Sequence, residues 1–123
     1  MLLKDVRPLI VEAEYLIAAD IQRVLEDAAT RPPVLARDYQ DVALLDQEPS
    51  AFDLAVVTPP RPGTDDDAVA ARLVAAGVAL VVCSAARIPL AGTALAGAEL
   101  LDKPFADDEL IAACLRALAK RAS

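Results

Sequence analysis

Five positions lie within two residues of the end of an apolar stretch, and their residue types limit the chemistry that the protein can carry. They are Glu12, Ala13, Thr58, Ser84 and Lys103. A carboxylate and an amine can form an ion pair, and two hydroxyls can form hydrogen bonds. Nucleophilic catalysis needs more than this, because a hydroxyl attacks poorly without a general base. The chain has no histidine, and Lys103 is normally protonated. The residues therefore predict a protein that is not an enzyme.

Two other groups of reactive side chains have simpler interpretations. Cys83 lies in an apolar run and Cys114 on the apolar side of a predicted helix, with no histidine or cysteine at metal-ligand spacing. We expect both to be buried as small hydrophobic residues. The acids Asp65, Asp66 and Asp67 stand at a predicted helix start, where carboxylates favour the positive end of the helix dipole and face water. No metal site is predicted there.

Composition narrows the class of protein further. A chain of 123 residues with a hydrophobic fraction of 56% can bury one core, so we expect one domain over residues 1–123. The net charge of −7 disfavours binding to nucleic acid. The longest apolar runs, such as Val78–Cys83, fall far short of the roughly 20 residues of a membrane helix. With no recognisable secretory signal, we expect a cytoplasmic location.

Strands and helices are predicted to alternate along the chain. Five apolar runs predict strands: Val6–Val11, Val34–Ala36, Phe52–Val57, Ala79–Cys83 and Ala98–Leu101. Helical apolar spacing predicts helices over Leu16–Ala28, around Val42, Leu44 and Leu45, over Val69–Ala76, and over Asp107–Arg121. Pro89 and Gly92 argue against a long helix after the fourth strand, so the fourth helix is predicted to be short or irregular.

This alternation predicts a particular architecture. Strands that are apolar on both faces are typical of a parallel sheet covered by helices on each side. The prolines in Thr58–Gly63 predict a rigid loop after the third strand, and Thr64 or Asp65 is predicted to cap the next helix. In such α/β folds ligands bind beyond the carboxyl ends of the strands. The five positions that follow the strands should therefore share one edge of the sheet.

Several of these pieces, in this order and spacing, resemble the response-regulator receiver domains of two-component signalling. The matching segments are Val11–Glu14, Asp53–Thr58, Pro62–Gly63, Val81–Ala85 and Asp102–Phe105. The resemblance covers essentially the whole chain. It implies a flavodoxin-like (βα)5 fold, with a doubly wound, five-stranded parallel sheet.

The resemblance also implies a site, and this chain lacks parts of it. Receiver domains hold Mg²⁺ with an acidic pair after the first strand and an aspartate after the third, which accepts a phosphoryl group. Glu12 matches the first acid, Ser84 the switch hydroxyl and Lys103 the phosphate-binding lysine. Ala13 stands at the second acid and Thr58 at the phosphoacceptor. The resemblance thus implies a degenerate phosphorylation pocket with no cofactor and lost Mg²⁺ binding.

Two further expectations concern the pocket and its surroundings. Lys103, with no phosphate to bind, is expected to pair with Glu12 across the strand ends. The aromatic switch position, three residues before the lysine, is Leu100. Receivers contact partners through the fourth helix, fifth strand and fifth helix. The resemblance therefore implies an interaction surface in Ala86–Phe105 and the last helix, with Leu100 and Phe105 in it.

The function predicted from these features is that of an atypical, stand-alone receiver in a phosphorelay. It would not be phosphorylated on aspartate and would act by protein–protein contact. The expected partner is a histidine kinase, a phosphotransfer protein or another response regulator, and a homodimer is an alternative. Two other functions stay open: a receiver regulated by unorthodox phosphorylation on Thr58, and a small-ligand-binding domain that reuses the strand-end pocket. Neither nucleic acid nor a membrane is an expected partner.

Overall fold

A computed structural model describes residues 2–85 and 90–122 of the chain. It contains one sheet of five parallel strands in the order β2-β1-β3-β4-β5. The strands are β1 Pro8–Val11, β2 Val34–Ala36, β3 Leu54–Val57, β4 Ala79–Ser84 and β5 Glu99–Asp102. This order is that of a doubly wound fold, and it confirms the predicted fold class.

The described residues also form four α-helices and one 3₁₀ helix, the last α-helix following β5. They are α1 Tyr15–Asp27, α2 Tyr39–Ala43, the 3₁₀ helix Pro49–Ala51, α3 Asp65–Ala75 and α4 Asp107–Ala122. The second helix is shorter than its apolar spacing indicates, because it ends before Leu44 and Leu45. None of the helices in the described part of the chain is both long and apolar enough to cross a membrane.

The core has two layers, one on each face of the sheet. Ile10, Val56 and Cys83 face a cluster formed with α1 and α4, to which Leu25 and Cys114 belong. The alternate strand residues face a second cluster formed with α2, α3 and the segment before β5: Leu9, Val11, Ala55, Val57, Leu80 and Val82. Since successive side chains of a strand point to opposite faces, a strand covered on both sides must be apolar throughout. Burial of both cysteines is confirmed.

The connection between β4 and β5 contains no α-helix among its described residues, 90–98, which form turns. Leu90 and Leu95 are buried on the α3 side of the sheet, where they take the place of an apolar helix face. The amide of Ala94 donates a hydrogen bond of 2.8 Å to Oδ1 of Asp67 at the start of α3. The prediction of an irregular fourth helix agrees with these turns. Pro89, on which it partly rested, lies outside the described residues.

The beginning of α3 corrects one prediction. Thr64 is the N-cap, and its hydroxyl oxygen accepts a hydrogen bond from the amide of Asp66, as expected. The acids that follow were expected to face water, but Asp66 is buried and Asp67 is half-buried. The reason is that both have partners outside the helix. Asp66 forms an ion pair of 3.1 Å with Arg61 of the preceding loop, and Asp67 binds Ala94.

Candidate functional site

The strand ends bring Glu12 and Lys103 into direct contact, although 91 residues separate them in sequence. Glu12 follows β1 and Lys103 follows β5, and parallel strands place both residues at the same edge of the sheet. The Nζ atom of Lys103 lies 2.6 Å from Oε1 of Glu12. The expected pairing between these residues is therefore present.

This ion pair is shielded from water. The side chain of Glu12 is 4% exposed and that of Lys103 is 16% exposed. The second carboxylate oxygen of Glu12 accepts a hydrogen bond of 3.1 Å from the amide of Glu14. Both oxygens are thus satisfied, which a buried carboxylate requires because desolvation of an unpaired charge is costly. The cation that would bind an anionic ligand is already neutralised within the chain.

Main-chain hydrogen bonds fix the other site positions. The amide of Lys103 donates to the carbonyl of Ser84 at 2.8 Å, so the ends of β4 and β5 are joined. The amide of Thr58 donates to the carbonyl of Val11 at 3.1 Å, which joins the ends of β3 and β1. Glu12, Thr58, Ser84 and Lys103 therefore lie along one edge of the sheet. Ala13 lies there too and is exposed.

Tyr39 is a component of the site that sequence reasoning missed. It is buried on α2, and its hydroxyl donates a hydrogen bond of 2.5 Å to the carbonyl oxygen of Thr58. Burial raises the pKa of this phenol, and the negative charges of Asp66 and Asp67 raise it further. The phenol therefore stays protonated and keeps its donor role. One signal in the sequence was a rare aromatic residue in an otherwise aliphatic chain, but nothing indicated its partner.

The site also influences the core beneath it. Burial raises the pKa of the Cys83 thiol to about 12, with Lys103 lowering it and Glu12 raising it. Since the two charges oppose each other, the ion pair does not activate this cysteine. A thiol with so high a pKa is not a nucleophile at neutral pH.

The donor set at the strand ends does not fit Mg²⁺. Magnesium prefers octahedral coordination by oxygen atoms and is usually held by one or two carboxylates. Of the three positions matched to metal ligands, position 12 alone carries a carboxylate, and Glu12 has one oxygen bound to Lys103 and the other to a main-chain amide. Positions 13 and 58 offer a methyl group and a hydroxyl. Within residues 2–85 and 90–122, no cluster of three or more acids or cysteines could hold a metal ion.

The two residues expected on an interaction surface, Leu100 and Phe105, lie towards different faces of the sheet. Leu101 packs into the α1 and α4 layer, so its neighbour Leu100 points to the other face, where it is 56% exposed. Phe105 is half-buried against the α1 and α4 layer. Because β5 is an edge strand, a partner can contact both residues only by wrapping around this edge.

Comparison with known proteins identifies the fold. No known protein family and no curated protein matches the chain. Among solved structures, a response regulator receiver protein from Sinorhizobium medicae is similar, with a TM-score of 0.79 and 21% identity over 97% of this chain and 98% of that one. The chemotaxis response regulator CheY4 of Vibrio cholerae has a TM-score of 0.70 and 17% identity over 93% and 99% of the two chains.

The same fold also occurs within a longer protein. NtrX of Brucella abortus matches 95% of this chain with a TM-score of 0.74 and 24% identity, but the match covers 28% of the NtrX chain. The similarity thus covers almost the whole of the first two chains and a smaller part of NtrX. The strand order, the position of the site and these comparisons agree: the chain has the fold of response-regulator receiver domains.

Proposed function

We propose that the chain is a receiver-type signalling domain that does not accept a phosphoryl group on aspartate and that acts by docking on another protein. The observation that carries the proposal is the 2.6 Å contact between Lys103 and Glu12. In receiver domains the matching lysine binds the phosphoryl oxygens and the matching acid helps to hold the metal. Here each satisfies the other, and no carboxylate stands at positions 13 and 58 to rebuild the metal site.

The same contact argues against catalysis at this site. A group that transfers a proton needs a position from which it can reach a substrate, and a pKa near the working pH. Glu12 is enclosed, and the thiol of Cys83 is held protonated by burial. The proposed role is therefore that of an interaction domain and not of an enzyme, without Mg²⁺ or another cofactor at the strand ends.

The edge strand β5 is the proposed contact surface. Leu100 is a large apolar side chain that is 56% exposed, and it lies on the face of the sheet where residues 90–98 form turns. The side chain of the preceding residue, Glu99, points to the opposite face of the sheet, where it forms ion pairs with Arg116 of α4 at 3.2 Å and Lys120 of α4 at 3.1 Å. An exposed apolar side chain on an edge strand is a position that a partner protein can cover. The proposed partners are a histidine kinase, a phosphotransfer protein or another response regulator.

Nuclear magnetic resonance can test the phosphorylation part of the proposal. The amides of Glu12, Thr58, Ser84 and Lys103 should not shift when Mg²⁺ with acetyl phosphate, or Mg²⁺ with beryllofluoride, is added to the natural chain. The matched positive control carries Thr58→Asp together with Ala13→Asp, which supplies the two absent carboxylates and should restore shifts with Mg²⁺. Localised shifts in the natural chain would refute the proposal and favour phosphorylation or ligand binding at this edge.

Binding measurements test the docking part separately. Purified kinases, phosphotransfer proteins and response regulators of the source cell would be titrated with the natural chain and with Leu100→Glu. The charged side chain should weaken binding at least about tenfold, because it must be desolvated at the centre of the interface. The control is Leu44→Glu, at the residue directly after α2, whose side chain is 81% exposed. Equal binding by both variants would exclude β5 as the contact surface.

A further inference from the structure

A groove between α1 and α4 lies away from the strand-end site and on the opposite face of the sheet from Leu100. Its volume is about 510 Å³. Val24 and Ala28 form a buried floor, and Leu2, Ile111 and Leu115 add apolar walls, of which Leu2 and Leu115 are exposed. An apolar trough between two helices is the shape that receives the apolar side of a third helix.

The margin of this groove is acidic. Asp27, Asp107 and Asp108 line it. Arg23 is within ion-pair distance of Asp20 at 2.8 Å, Asp27 at 3.6 Å and Asp107 at 3.1 Å. One guanidinium is thus shared by three carboxylates, and this cluster keeps an excess of two negative charges. Asp108 has no ion-pair partner among the described residues, so it adds a further negative charge.

The acidic margin favours some binding partners of the groove over others. A symmetric dimer places the same patch on both partners, so a second copy docking here would bring two acidic margins together. A nucleic acid would be repelled in the same way. A basic partner, in contrast, gains favourable electrostatics during approach and at the rim, where charges are only partly screened. The trough therefore favours apolar side chains and its margin favours basic ones. A single amphipathic helix can carry both.

We propose that the groove between α1 and α4 binds an amphipathic helix of a partner protein that inserts apolar residues between Val24 and Ile111 and places lysine or arginine along Asp27, Asp107 and Asp108. This surface is additional to the one proposed at β5 and does not depend on the state of the strand-end site. A helix of about three turns spans roughly 16 Å, which is comparable to the length of α1.

A synthetic peptide provides the test. It would be about 15 residues long, with leucine at helical spacing on one side and lysine on both flanks of that side. Two control peptides would carry glutamate in place of lysine, or the same residues in shuffled order. With the lysine peptide, amide shifts in the chain should concentrate in Val24–Ala28 and Asp107–Leu115, and affinity should fall severalfold when salt is raised from low to physiological concentration.

Substitutions in the chain complete the experiment. Leu115→Lys and Asp108→Lys should each weaken binding of the lysine peptide about tenfold, through loss of an apolar contact and of charge complementarity respectively. Leu44→Lys is the control on the far side of the molecule and should leave binding unchanged. Both altered leucines are exposed, at 39% and 81%, so folding should be kept.

Four outcomes would overturn the proposal. They are no binding of the lysine peptide at millimolar concentration, equal binding of the glutamate peptide, shifts centred elsewhere, and self-association of the chain through the same amides without peptide. The last outcome would identify a second copy as the occupant. None of them bears on the phosphorylation test, whose readout lies at Glu12, Thr58 and Lys103.

Discussion

Arg7 and Asp53 form a two-point ion pair that joins the beginnings of β1 and β3. The Nε atom of Arg7 lies 3.0 Å from Oδ2 of Asp53, and Nη2 lies 3.0 Å from Oδ1. The amide of Arg7 also donates to Oδ2 at 2.9 Å, and Arg121 of α4 donates to the carbonyl of Asp53 at 3.0 Å. Two central strands and the last helix thus meet at one carboxylate, at the end of the sheet opposite the candidate site.

This arrangement predicts a loss of stability in acid. The side-chain hydrogen bond from Arg7 lowers the pKa of Asp53 from 3.8 to about 2. A carboxyl group whose pKa is lower in the folded state stabilises the fold above its unfolded pKa, and the contribution is lost as pH falls through the folded pKa. Asp53→Asn should therefore reduce the free energy of unfolding by about 1 kcal/mol at pH 7, and by progressively less between pH 4 and about 2.

Urea denaturation at a series of pH values measures this difference. Asp46→Asn, at an exposed acid, is the control and should show no comparable pH-dependent change. A difference between Asp53→Asn and the natural chain that persists unchanged at pH 2 would contradict the assignment of the acid-labile stability to Asp53.

The Glu12 and Lys103 pair predicts strong energetic coupling. Lys103→Met leaves the carboxylate of Glu12 enclosed without a cation, and such a change should cost about 3 kcal/mol of stability. The double variant with Glu12→Gln removes the stranded charge, so its loss should be clearly smaller than the sum of the two single losses. Denaturant unfolding of the four proteins gives the coupling energy.

An ion pair with an exposed cation is the comparison for that cycle. Arg116→Met removes one of two cations near Glu99, and Arg116 is 55% exposed, so it should cost less than about 0.5 kcal/mol. If the stability losses of the two single variants add up to that of the double variant, Glu12 and Lys103 have no energetic coupling.

The hydrogen bond from the amide of Ala94 to Asp67 should hold the segment before β5 in place against the start of α3. Asp67→Ala should remove protection of the Ala94 amide from hydrogen exchange and cost about 1–2 kcal/mol. Asp65→Ala is the matched control, because Asp65 is in the same helical turn but is exposed. If both substitutions had the same effect, helix-dipole interactions would explain the loss, and the cross-chain bond would not.

The reactivity of the two buried cysteines should report on unfolding of the chain. Burial raises the pKa of both thiols to about 12. Native protein should therefore react with a thiol reagent such as dithionitrobenzoate far more slowly than unfolded protein. Measured against urea concentration, the rate should rise with the unfolded fraction. Fast reaction of one cysteine in native conditions would show a local opening of β4 or α4.

The sequence was sufficient for features that depend on periodicity and strand polarity. Val34–Ala36 appears as a strand at its predicted bounds, because the flanking prolines and the apolar run leave little choice. The contact of Glu12 with Lys103 was predictable despite their separation, since both follow strands of one parallel sheet. Because the carboxyl ends of parallel strands meet at one edge of the sheet, residues that follow different strands in sequence lie close together in space.

Other features depend on loop paths that local patterns do not encode. Asp66 and Asp67 look like ordinary first-turn acids, and only the courses of the loops at Arg61 and Ala94 bury them. Likewise, nothing local indicates that Tyr39 reaches the carbonyl of Thr58. Leu100 and Phe105 are near in sequence, but alternation along β5 and the turn after it separate them. Long-range hydrogen-bond partners therefore marked the limit of prediction at this site.

The contact between Glu12 and Lys103 limits which charged groups can bind at this edge of the sheet. Glu12 and Lys103 neutralise each other, so a further charge buried beside them would need a counter-ion of its own to offset desolvation. A carboxylate placed at Thr58 would have to remain protonated, open the existing pair, or enter together with a cation. Any negative ligand meets the same condition. Occupancy of this edge of the sheet is thereby tied to the uptake of a compensating ion.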